Sequence, residues 1–98
     1  MYSVLTTEQF DDWFNDLRDR KAKSLVQVRI DRMESGNFGD CQPVGSGVSE
    51  LRIHHGAGYR VYIKRSGLEV VVLLVGGDKS TQPKDIKTAI ALAEKLGL

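Results

Sequence analysis

The chain has 98 residues, 41% of them hydrophobic and 28% charged, a composition that excludes intrinsic disorder and suits one domain with one core. Its longest apolar run covers only residues 70–75, well short of the roughly 20 residues that a membrane-spanning helix needs, and its single cysteine, Cys41, excludes an internal disulfide and a cysteine-rich metal centre. The net charge of +1 conceals an asymmetry, since residues 1–19 hold five acids and one base whereas residues 20–98 hold thirteen bases and eight acids; the later segment suits a polyanion as well as it suits an ordinary solvated surface.

In chain order, residues 2–5 read as a short strand. Thr6 is placed to cap a helix, with Gln9 at the capping-box position. Phe10, Trp13, Phe14 and Leu17 follow at helical spacing and form its buried stripe. A second helix is predicted over residues 21–35. Ala22, Leu25, Val26, Ile30 and Met33 lie on its inner face, Arg29 and Arg32 on its outer face, and Gly36 stops it. Residues 37–47 hold three glycines and a proline without any period, which predicts a loop.

The period then changes to two, giving strands over residues 48–54 and 59–65 that are joined by a glycine-containing turn. Residues 70–75 are apolar at both parities, as in a central strand covered on both faces. After the Gly76-Gly77 pair and a polar loop over residues 78–81, Pro83 opens a last helix to residue 96, with Ile86, Ala89, Ile90 and Ala93 inward. The order β-α-α-β-β-β-α predicts a single α+β domain over residues 1–98, a small antiparallel sheet with helices packed on it.

Alternation puts Glu50, Arg52, His54, Arg60, Tyr62 and Lys64 on one face of the hairpin. With His54 opposite Arg60, Arg52 faces Tyr62 and Glu50 faces Lys64. The two arginines then project outward together, in a form that binds phosphate through charge-assisted hydrogen bonds, and Tyr62 is free to stack on a base. A polar strand face is more often an ordinary solvated surface, with cross-strand Glu–Lys pairs as routine stabilisers. His54 and His55 are read as loop-edge residues, and no ligand spacing suggests a metal.

Six segments resemble, in order, those of the RelE/ParE toxin superfamily, in particular its HigB-like, phage-derived addiction-module killer group. They are Phe10-Asp-Asp-Trp13 through Arg20; Gly36-Asn-Phe-Gly-Asp40 with Val44-Gly45; Glu50-Leu-Arg-Ile53; Gly58-Tyr-Arg-Val-Tyr62; Leu74 through Gln82; and Asp85-Ile-Lys-Thr-Ala89. The resemblance implies a small sheet flanked by helices and the cytoplasmic toxin of a type II toxin–antitoxin pair. It implies a helix-turn-helix antitoxin as partner, in a complex that binds operator DNA. It further implies an mRNA endoribonuclease acting on the ribosome without metal or other cofactor, or alternatively a ParE-like gyrase inhibitor or a non-catalytic, antitoxin-binding member. In RNA cleavage of this kind the 2′-hydroxyl attacks the phosphorus and the 5′-oxygen leaves. That reaction requires a base, cations and an acid. By position, Arg60 and Arg52 would stabilise charge and Glu50 would be the base. Lys79, Lys64, Tyr62 and His54 would contact RNA, with Tyr62 or His54 as the acid.

Overall fold

A computed structural model describes residues 1–98. A five-stranded mixed sheet runs in the order β1-β5-β4-β3-β2. The strands are β1 (Ser3–Thr6), β2 (Cys41–Gly45), β3 (Val48–Ile53), β4 (Tyr59–Ser66) and β5 (Val70–Gly77). Helices α1 (Glu8–Asn15) and α2 (Arg20–Glu34) follow β1, and α3 (Gln82–Lys95) follows β5. The strand at residues 2–5 is present, shifted by one residue, and pairs parallel to β5; all other pairings are antiparallel. No helix is long and apolar enough to cross a membrane.

Strand β1 continues through Thr6, which pairs with Leu73, so the helix starts one residue later than the capping pattern suggests. Thr7 is the cap. Its hydroxyl accepts from Phe10 N–H at 3.0 Å and donates to the Leu74 carbonyl at 2.5 Å, joining helix start to central strand. Helix α1 ends at Asn15 and leaves Leu17 outside it. Asp19 caps α2 by accepting from Ala22 N–H at 3.0 Å.

Two further expectations need correction. The stretch 37–47 is not all loop, because residues 41–45 form edge strand β2 on β3. An edge position tolerates Pro43, whose missing N–H can face away from the ladder. Nor does Arg29 lie on a solvent face. It is half-buried and donates to the carbonyls of Arg52 (2.5 Å), Phe38 (3.0 Å) and Asp40 (3.0 Å), so its guanidinium ties α2 to β3 and to the approach to β2.

The sheet is covered on both faces. Under α1 and α2 lies an apolar core that includes Phe10, Val26, Met33, Leu51, Ile63 and Leu73. Under α3 lies a second core built from Val48, Tyr62, Val72, Leu74, Val75, Ala89 and Ala93. An irregularity in the pairing of β4 with β5, between Tyr62 and Ile63, lets Leu74 and Val75 both serve the α3 side. It also turns Gly76 toward Trp13, where a Cβ would sit 2.1 Å from the indole, and Gly77 toward Asp85.

Candidate active site

The hairpin of β3 and β4 pairs Arg52 with Arg60, Glu50 with Tyr62 and Val48 with Lys64. The partners expected from the sequence are displaced because Ile53 and Tyr59 close the hairpin and residues 54–58 form the connection. The displacement preserves the faces and changes who meets whom.

The centre of the alternating face is not solvated. Helix α3 covers it, and Glu50 is 0% exposed. Four donors converge on its carboxylate. Arg52 Nε donates to Oε1 at 3.0 Å and Gln82 Nε2 to Oε2 at 2.7 Å, while the Tyr62 hydroxyl donates to Oε2 at 3.1 Å. Arg60 Nε lies 3.6 Å from Oε1, an ion-pair distance, and this buried nitrogen has no hydrogen-bond partner. The two guanidinium groups do converge, but on this carboxylate instead of projecting outward in parallel. Arg52 keeps 40% of its side chain exposed, Arg60 only 10%.

This arrangement corrects two expected roles. Glu50 offers no accessible lone pair to a substrate hydroxyl, so it serves as the counter-ion that fixes Arg60 and not as a base in contact with RNA. Tyr62 is wholly buried and its hydroxyl is committed to Glu50, so it neither stacks on a base nor delivers a proton to a leaving oxygen. Burial, reinforced by the adjacent Glu50 charge, pushes the Tyr62 phenol far above its ordinary range. Lys64 is also occupied elsewhere. Its Nζ donates to the Ser46 carbonyl at 3.1 Å and to Leu98 at 3.0 Å.

What the structure does bring together is Arg60, Lys79, His54 and His55. These four, with the turn at residues 56–58, line an open polar cavity of ≈ 340 Å³. Lys79 stands in a short 3-10 turn (Lys79–Thr81) capped by Asp78, whose carboxylate accepts from Ser80 N–H at 2.8 Å. The Lys79 N–H donates to the Ala57 carbonyl at 3.3 Å, docking that turn against the hairpin connection. Gly58 has φ +75°, and a Cβ there would approach Lys79 Cβ to 3.2 Å, so glycine lets the two turns close on each other.

The histidines are not idle loop-edge residues. His54 Nε2 lies 2.6 Å from Asp40 Oδ2, and His55 Nε2 lies 3.0 Å from Asp19 Oδ2. The hydrogen bond to His54 is the main influence holding Asp40 below the usual carboxylate range. Asp19 is lowered chiefly by the backbone amide of Ala22, with His55 adding to it. His55 escapes a sequence reading because its partner lies 36 positions away. The visible signal is the His54-His55-Gly56 triplet at a strand end.

Arg52 belongs to a neighbouring groove of ≈ 200 Å³, with Arg32, Val28 and His54 also on its wall. His54 is thus shared by cavity and groove.

No protein-family model matches the chain. A Haemophilus influenzae protein described only as uncharacterized is 52% identical to it over 95 residues, a match covering 97% of this chain and 96% of the relative. The match spans nearly the whole of both chains, and this chain therefore belongs to the same family as the Haemophilus protein.

Proposed function

We propose that this protein is the toxin of a type II toxin–antitoxin pair of the RelE/ParE class, and that it cleaves mRNA on the ribosome by attack of the 2′-hydroxyl on the adjacent phosphodiester. The observation that carries the reading is the cavity into which Arg60 and Lys79 converge beside two imidazoles. A phosphoryl group in the transition state carries extra negative charge on its non-bridging oxygens. A cation held in place before the substrate arrives stabilises that charge with little reorganisation, and a second cation beside it adds to the effect.

Arg60 is held by Glu50, and the capped turn places the backbone from which the exposed Lys79 side chain extends. Arg52, on the wall of the neighbouring groove and 40% exposed, would meet the flanking backbone phosphates. The expected partner is a helix-turn-helix antitoxin, and the pair together would bind operator DNA.

The experiment is tightly controlled expression with mapping of mRNA 5′-ends. New ends during growth arrest are expected. Lys79→Ala should lower cleavage by about 100-fold while the melting temperature holds. Growth arrest with intact mRNA would remove the nuclease reading.

One observation favours a second reading. Glu50 is sealed, and both hairpin arginines are engaged with it, a pattern that also suits a surface used only for binding. A gyrase-blocking toxin would give broken chromosomal DNA and an SOS response with intact messages. A purely antitoxin-binding member would give no growth defect.

A further inference from the structure

We propose that His54 and His55 are the paired proton-transfer groups of the cavity, one taking the proton from the attacking 2′-hydroxyl and the other giving one to the leaving 5′-oxygen. The inference rests on the nuclease reading and fills the place left when Glu50 and Tyr62 prove to be buried.

The argument begins with position. Both histidines are among the residues lining the cavity that holds Arg60 and Lys79, so a phosphate seated on those cations lies beside both of them. Orientation follows. Each ring gives its Nε2 to a carboxylate from a different part of the chain, His54 to Asp40 before β2 and His55 to Asp19 at the cap of α2. A carboxylate on one imidazole nitrogen fixes the tautomer and the ring plane, and stabilises the imidazolium when it forms. With Nε2–H donated to the aspartate, the neutral ring carries its lone pair on Nδ1. That is the atom through which each ring would exchange a proton with RNA.

Asp19 and Asp40 are both held below the usual carboxylate value, so they remain ionised acceptors for the two rings at neutral pH.

The step balances. Nδ1 of one neutral ring accepts the 2′-hydroxyl proton as O2′ bonds to phosphorus. The bond from phosphorus to O5′ breaks, and O5′ takes a proton from the other, protonated ring. The products are a 2′,3′-cyclic phosphate and a 5′-hydroxyl. The rings end with their protonation states exchanged and reset through water.

The plainer alternative makes His55 a tie between the hairpin turn and the α2 cap. His55→Gln separates the two roles, because the amide can still donate to Asp19 but cannot carry a proton through the reaction. Purified ribosomes programmed with a defined message provide the assay, read as cleavage rate against pH, with a thermal melt of each variant alongside.

The wild type should give a bell-shaped profile. His55→Gln should lose about 100-fold in rate and one limb of the bell, and His54→Gln the other limb, both with the wild-type melting temperature. Unaltered rate and profile in His55→Gln would overturn the inference and leave the nuclease reading standing. A wild type that cleaves no message would end both.

If His55→Gln melts early, long-range ¹H–¹⁵N spectra of the wild-type imidazoles decide the matter. On adding a trinucleotide with 2′-deoxy sugars, shifts in both rings are expected. Rings that stay unmoved while Lys79 responds would overturn the pairing.

Discussion

The two faces of the sheet use the same strands for different purposes. Beneath α1 and α2, every fully buried side chain is apolar, from Phe10 and Val26 through Leu51, Ile63 and Leu73. Beneath α3 the core is apolar only in part. Val48, Val72 and Leu74 pack on Ala89 and Ala93, but toward the start of α3 the layer becomes Tyr62, Glu50, Gln82 and Arg60.

Two helices close one face with hydrocarbon. The single helix on the other leaves one end where charge must be neutralised by charge, and that end opens into the cavity through Arg60. A buried ion pair is seldom the most stable filling for a core. Its position here, between hydrocarbon and solvent, suits a device that holds one guanidinium still.

The sharpest way to break this comparison is Glu50→Ala. It removes the acceptor shared by Tyr62, Gln82, Arg52 and Arg60 and leaves the enclosed Arg60 charge uncompensated. A loss of about 3–5 kcal/mol in urea unfolding is expected. Arg52→Ala acts on the same network from its exposed rim and should cost no more than about 1 kcal/mol. Equal losses would mean that the network does not grade from buried to exposed as described.

On the opposite face the sensitive feature is close packing. Gly76→Ala would place a Cβ 2.1 Å from Trp13, so the indole must move off the Phe10 ring beside it. Overpacking of this kind costs about 1–3 kcal/mol. Trp13→Ala in the same chain should recover most of the increment, which a double-mutant cycle would measure.

The apolar face was legible in the sequence because its signals are local. Phe10, Trp13 and Phe14 repeat at helical spacing, and Leu51, Ile53, Val61 and Ile63 alternate along their strands. The polar face kept its membership but not its environment. Alternation groups Glu50 with Arg52, Arg60 and Tyr62, yet their burial depends on α3, which arrives 32 positions later with Gln82.

Strand β2 was illegible because Pro43 and Gly45 carry loop character, and only pairing along an edge makes them a strand. His55 and Lys79 gave no sign of sharing a cavity. The hydrogen bond from Lys79 N–H to Ala57 is a product of the folded topology.

Tyr62 tests the polar core with pH. Its folded-state pKa is raised, so the hydrogen-bonded neutral phenol contributes stability that is complete below the unfolded tyrosine value, about 10, and is lost as pH rises above it. Alkaline titration followed at 295 nm should therefore show one phenol that ionises only as near-ultraviolet circular dichroism collapses. Tyr62→Phe should abolish that step, with a cost of about 1–3 kcal/mol at neutral pH from the acceptor left short of a donor.

The smallest effect belongs to the histidine ties, and its sign is opposite. Asp19 and Asp40 have depressed folded-state pKa values. Their contribution is present above the unfolded aspartate value, about 3.9, and is lost as pH falls through the lower folded values. Stability should thus hold from neutral pH to about 4 and decline below it.

Both carboxylates are partly exposed, Asp19 by 35% and Asp40 by 34%, so the decline should be shallow and weakened by salt. Asp40→Asn should flatten it only slightly, because Asp40 ties one exposed ring. Asp19→Asn should flatten it more, because Asp19 also caps α2 through Ala22 N–H. A steep acid transition that survives both substitutions would mean that these two ties do not set it.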